Sequence, residues 1–108
     1  MEIDRYQAKA REFAVYPDIG ENITYPALGL AGEAGEFANQ VKKVLRDDKG
    51  EITVERGVNM MDELGDVLWY VANAASELGF SLDDVAEFNL RKLTYRRYAD
   101  SIHGDRRA

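Results

Sequence analysis

Apolar residues recur at intervals of three and four through most of this chain, the spacing of amphipathic helices, and polar clusters interrupt the pattern between segments. Ile3, Tyr6, Ala10, Phe13 and Ala14 share one helical face, which predicts a first helix over Ile3–Tyr16, ended by Pro17. Residues 17–22 carry the Gly, Asp and Asn of an inter-helix turn. A second helix is expected from near Pro26, with Thr24 as candidate cap, to about Arg46. Its apolar stripe is Leu30, Ala34, Phe37, Ala38, Val41, Val44 and Leu45. Thr53 is a candidate cap for a third helix running to about Leu78, with Met61, Leu64, Leu68, Val71, Ala72, Ala75 and Leu78 as its stripe. Gly79 supplies a stop, and Ser81-Leu82-Asp83-Asp84 resembles a capping box opening a fourth helix over about Leu82–Ser101. Residues 99–108 read as a fraying tail. The fold class expected is all-α, a four-helix bundle forming one domain over 1–108.

Length agrees, since 108 residues form one core without staples. The chain has no Cys and a single His, His103, so any metal ligands are hard oxygens rather than thiolate or imidazole. No basic segment followed by an apolar run opens the chain, and no apolar stretch approaches the ~18 residues of a membrane span. A soluble, cytoplasmic protein without a membrane partner is expected. The net charge of −6 argues against a nucleic-acid polymer as partner. Charge is unevenly spread, however: Asn89–Ala108 holds six Arg/Lys against two Asp.

Two acidic pairs change the picture. Glu33 and Glu36, and then Glu63 and Asp66, each stand three residues apart inside apolar helical segments, so each pair projects from one face on successive turns. Two such helices side by side pool four carboxylates, whose repulsion calls for a cation. Oxygen ligands suit Mg²⁺ or Mn²⁺, and a carboxylate-held Mg²⁺ keeps waters and recruits substrate phosphates. Taken singly, a Glu-x-x-Glu pair is commonly just a solvated helix face. Gly29, Gly32 and Gly35 on the second helix cost about 1 kcal/mol each relative to Ala, which calls for either close helix approach or room for a ligand. Tyr70, one turn beyond Asp66, is either a contact to that ligand or a half-buried ring with a wet hydroxyl. Trp69 is a candidate base-stacking ring, although core or interface is the commoner role of such a Trp. Asn89, Lys92 and Arg96 form a polar row on the fourth helix; spacing alone allows phosphate contacts, helix-dipole complementation or pairing with Glu87.

Glu33-x-x-Glu36, twenty-six intervening residues and Glu63-x-x-Asp66 resemble the signature of the MazG-like, all-α nucleoside triphosphate pyrophosphohydrolases. Tyr25-Pro26-Ala27-Leu28-Gly29-Leu30-Ala31-Gly32-Glu33-Ala34-Gly35-Glu36, Asp62-Glu63-Leu64-Gly65-Asp66-Val67-Leu68-Trp69-Tyr70 and Asn89-x-x-Lys92-Leu93-x-x-Arg96 carry the likeness, which spans about Tyr6 to Arg97. The resemblance implies hydrolysis of a nucleoside triphosphate to monophosphate and pyrophosphate. It implies Mg²⁺ held by Glu33, Glu36, Glu63 and Asp66, with Glu33 or Glu36 also serving as catalytic base. It further implies substrate contacts from Tyr70, Asn89, Lys92 and Arg96, and assembly as a homodimer or homotetramer in which more than one chain shapes each pocket. Competing expectations are a pyrophosphohydrolase narrow for dUTP, a modified cytidine nucleotide or a phosphoribosyl-ATP-like substrate, and a helical nucleotide–Mg²⁺ sensor without turnover. A ferritin-like di-iron bundle wants Glu-x-x-His pairs, and neither acidic pair has the His.

Overall fold

The computed structural model describes residues 1–103, with side chains described through residue 100. It consists of helices α1 (Ile3–Glu12), α2 (Thr24–Asp47), α3 (Val54–Leu78) and α4 (Leu82–His103), with no strand among the described residues. Among the described residues, no helix is long and apolar enough to cross a membrane.

Local chemistry sets the boundaries, and three differ from the expectation. Helix α1 stops at Glu12, not Tyr16. Pro17 disfavours helical geometry at the residue before it, and Tyr16 leaves the helix to bury its ring and give its hydroxyl to Glu77. Helix α2 starts at Thr24, two residues before Pro26, and Thr24 is not the cap: Asn22 Oδ1 accepts from the backbone N–H of Tyr25 at 3.0 Å. Helix α3 opens as expected, with Thr53 Oγ1 accepting from Arg56 N at 3.1 Å, and closes on Gly79 in the left-handed region at φ 80°. Ser81 Oγ accepts from Asp84 N at the start of α4. That helix runs on to His103, so residues 99–103 are helical rather than frayed, and the rest of the expected tail lies outside the described residues.

Helices α2 and α3 form the main hairpin, α1 lies on α3, and among the described residues α4 touches α1 and α3 only. The α2–α3 turn is clipped by Arg56, which reaches Asp48 at 2.8 Å and Asp47 at 3.7 Å. The α3–α4 corner is held by α1: the Gln7 amide donates to Ser76 Oγ and Phe80 O and accepts from Leu82 N, while Asp4 accepts from Asp83 N. The bonds donated by Leu82 N and Asp83 N satisfy helix-terminal N–H groups that otherwise lack partners. Around them sits a small core of Ala10, Ala72, Ala75 and Leu82, flanked by Tyr6, Trp69 and Val71.

One chain does not close a bundle. Its radius of gyration is 17.3 Å, against about 13 Å for a compact domain of this length. Its accessible surface is 8144 Å², against roughly 6,100 Å² for a folded monomer of this mass. Part of the exposed apolar surface lies on the stripes expected to form the core. Met61 and Leu64 are 67% and 52% exposed, and Val41, Leu45 and Leu68 are also exposed. On α4, Phe88, Leu90 and Leu93 face solvent as well. Among the described residues of the two stripes, Val44 on α2 and Ala72 and Ala75 on α3 are buried within the chain.

Candidate metal centre

The seam between α2 and α3 is not the most apolar face of either helix. Gly29, Glu33, Phe37, Gln40 and Val44 are the sheltered row on α2, and Arg56, Met60, Glu63, Val67, Tyr70 and Ala74 on α3. Each row follows the three-and-four spacing of one helix face. The carboxylates thus occupy the middle of a helix–helix contact, where a charge without a partner is costly.

Glu33, Glu63 and Asp66 each bring a carboxylate oxygen to within 4.8 Å of the others. Glu33 and Glu63 are half-buried in the seam and Asp66 is exposed at its edge, leaving one side open. Burial raises the Glu63 carboxyl above its ordinary value, reinforced by a hydrogen bond with Glu33 and by the charges of Glu33, Asp66 and Glu36. Three oxygens about 2.1 Å from a hard divalent cation stand roughly 3–4 Å apart, so small side-chain rotations bring this set to that geometry. The donor set fits such a cation. Glu36 lies outside the three-oxygen set and is exposed, although its charge reaches Glu63.

Tyr70 borders the cluster. Its ring lies against the α2 backbone at Gly29, where a Cβ would overlap the ring. Burial, followed by the charges of Tyr25, Glu33 and Asp66, raises its hydroxyl pKa. Close approach therefore accounts for Gly29. Gly32 and Gly35 face open space within the chain. On the opposite flank Tyr6 of α1 has its pKa raised by burial and by the nearby Asp66 charge. Trp69 packs against the small core and meets Tyr70 edge-on, with centroids 5.0 Å apart.

The α4 row is elsewhere. Asn89, Lys92 and Arg96 are all exposed, and among the described residues α4 makes no contact with α2. The alternative pairing of Lys92 or Arg96 with Glu87 does not form among the described residues.

Behind the cluster stands a network the sequence pattern did not disclose. Glu77 Oε2 accepts from Tyr16 Oη at 2.6 Å, Arg11 Nη2 at 2.7 Å and Gly20 N at 2.8 Å, while Oε1 accepts from Asn22 N at 2.6 Å. Arg11 also donates to Asn73 Oδ1, and the Asn73 amide donates to Trp69 O. The hydrogen bond from Tyr16, with those from Asn22, Arg11 and Gly20, holds the Glu77 carboxyl down at about 2, against the opposing effect of burial. Tyr16 in turn stacks on Tyr25 at 4.7 Å, and Tyr25 leans on Tyr70 at 6.5 Å. A polar Asn73 between Ala72 and Ala74 was the one available signal, since a buried amide requires partners.

Known proteins are similar to this chain. Residues 23–99 match the model of the MazG nucleotide pyrophosphohydrolase domain. Gene 37 protein of Mycobacterium phage L5 is 46% identical over 109 residues, covering 96% of each chain. Uncharacterized protein YvdC of Bacillus subtilis (strain 168) is 35% identical over 72 residues, covering 62% of this chain and 68% of that protein. No solved structure matches the sequence. With the family match spanning both acidic pairs, the α2–α3 hairpin and most of α4, the chain belongs to the MazG nucleotide pyrophosphohydrolase family.

Proposed function

We propose that this protein hydrolyses nucleoside triphosphates, ribo- or deoxyribo-, to the monophosphate and pyrophosphate with Mg²⁺ as cofactor, in the role of nucleotide-pool house-cleaning. The observation that carries this reading is the convergence of Glu33, Glu63 and Asp66 from two helices, beside a tyrosine hydroxyl and open on one side. Repulsion and burial make that cluster costly by itself, so a bound cation gives it a purpose.

Glu33, Glu63 and Asp66 would hold the Mg²⁺, with Mn²⁺ a possible substitute and Glu36 the fourth carboxylate within reach. When bound, Mg²⁺ supplies charge neutralisation for the triphosphate and a lower pKa for water at the α-phosphorus. Glu33 or Glu36 takes the proton of the attacking water. Tyr70 donates to a phosphate oxygen. Asn89, Lys92 and Arg96 bind the triphosphate, Arg by paired N–H donors and Lys as a point charge.

The last assignment needs a second chain. Helix α4 does not meet α2 within one protomer, and the surplus surface of roughly 2,000 Å² is of the size an obligate interface buries per partner. A homodimer or homotetramer covers Met61, Leu64 and Leu68 and brings the Asn89–Lys92–Arg96 row of α4 toward an acidic seam.

The test is a product analysis by anion exchange across the common nucleoside and deoxynucleoside triphosphates with Mg²⁺, beside a Glu63→Gln control. Monophosphate plus pyrophosphate, absent in the control, is expected. Diphosphate plus phosphate contradicts attack at the α-phosphorus, and Mg²⁺-dependent nucleotide binding without turnover favours a sensor.

A further inference from the structure

We infer that Tyr25 is a positioning residue for the Tyr70 hydroxyl, acting as a bridge from the Glu77 network to the carboxylate cluster; this rests on the site proposed above. Tyr25 is tied to Glu77 twice. Its ring stacks on Tyr16 at 4.7 Å with an interplanar angle of 11°, and the Tyr16 hydroxyl donates to Glu77. Its backbone N–H donates to Asn22 Oδ1, and Asn22 N donates to Glu77.

Glu77 and Tyr70 sit on the same helix, two turns apart. The strap therefore leaves α3 at Glu77, crosses the α1–α2 loop and returns to α3 at Tyr70, with the ring centroids of Tyr25 and Tyr70 6.5 Å apart at 43°. Gly29 supports the Tyr70 ring from α2, and Tyr25 limits its swing on another side. A phenol packed on both sides has few accessible rotamers, so its hydroxyl stays where a phosphate oxygen would meet it. Tyr25 itself is 43% exposed, so it flanks the open site instead of filling the core. The Tyr25 hydroxyl also bears on the Tyr70 phenol, as a charge and as a hydrogen-bond partner; the ring, held by its stack on Tyr16 and tilted against Tyr70, is the part to which the positioning is assigned.

Steady-state kinetics with Mg²⁺ and a nucleoside triphosphate would be measured for Tyr25→Ala, Tyr25→Leu and Tyr25→Phe, each in the wild-type and Tyr70→Phe backgrounds. Thermal unfolding of every variant would be recorded. Tyr25→Leu serves if Tyr25→Ala does not fold. The expected result is a KM raised about tenfold by Ala or Leu with kcat within about twofold, rescue by Phe to within about twofold, and almost no further rise in the Tyr70→Phe background. An equal rise in both backgrounds, or a Phe variant as impaired as Ala, overturns the inference while leaving the proposed activity standing. A wild-type protein without triphosphate turnover overturns both.

Discussion

The Tyr16 hydroxyl donates to Oε2 of Glu77 at 2.6 Å across a sequence separation of 61 residues, joining the α1–α2 loop to the C-terminal end of α3. The Glu77 side chain is 1% exposed and accepts four hydrogen bonds. Its folded pKa of about 2 lies below the ordinary 4.5, so its stabilisation is present above pH 4.5 and is lost as pH falls toward 2. Glu77→Gln is expected to lower the unfolding midpoint at pH 7 by about 10 °C, with the gap to wild type narrowing between pH 4.5 and pH 2. Circular dichroism melts at stepped pH check this. Parallel acid limbs for the two proteins would refute the network's role.

The carboxylate seam predicts the opposite sign. Glu63 is raised in the folded state, so its protonated form is the one favoured by folding, and that contribution fades as pH rises through the folded pKa. Neutralising its neighbour with Glu33→Gln relieves repulsion, and the metal-free variant is expected to melt above wild type at pH 7. The same change should weaken Mn²⁺ binding by more than about tenfold, a loss seen even when a group merely supporting a ligand is removed. Melts in chelator and calorimetric Mn²⁺ titration read the two halves. A variant both less stable without metal and undiminished in binding would remove the seam from the account.

Gly29→Ala places a Cβ into the Tyr70 ring. We expect a stability loss of about 1–3 kcal/mol, as for overpacking generally, and a raised KM. In a Tyr70→Ala background the same change should cost almost nothing, because the overlapping ring is gone. Chemical denaturation of the four proteins completes the cycle. Equal costs in both backgrounds would mean that some other contact excludes a side chain at Gly29.

Assembly is expected to rest on the uncovered stripe. Leu64→Glu, at a position 52% exposed in one chain, should shift sedimentation from oligomer to monomer and reduce turnover by more than about tenfold. Lys92→Ala should raise KM without dissociating the oligomer. A wild-type monomer with full activity would show that one chain suffices.

The helices were legible because their boundaries are local chemistry: Thr53 caps α3, Gly79 ends it in the left-handed region and Ser81 opens α4. The two acidic pairs were legible for the same reason, since each lies within a single turn. Packing was less so. Periodicity marked Met61, Leu64 and Leu68 as a buried stripe, but it does not say whether the covering partner is the same chain, and within this chain the carboxylate row takes the seam instead. Glu36 shares a helix face with Glu33, yet the three-oxygen set draws on Glu63 and Asp66 from the facing helix, a matter of inter-helix register that spacing leaves open. Beyond the buried amide of Asn73, the Arg11–Tyr16–Glu77 network leaves little local trace, because Glu77 lies more than sixty residues from both Arg11 and Tyr16, and Tyr16 reads as the last residue of a helix.

The most direct test is hydrolysis in ¹⁸O-labelled water with Mg²⁺, followed by mass spectrometry of the products, for wild type and Glu63→Gln. One labelled oxygen in the monophosphate, none in pyrophosphate and no turnover in Glu63→Gln are the results expected from water attacking the α-phosphorus at this carboxylate cluster. Label in pyrophosphate or in free phosphate, or full activity in Glu63→Gln, would contradict it.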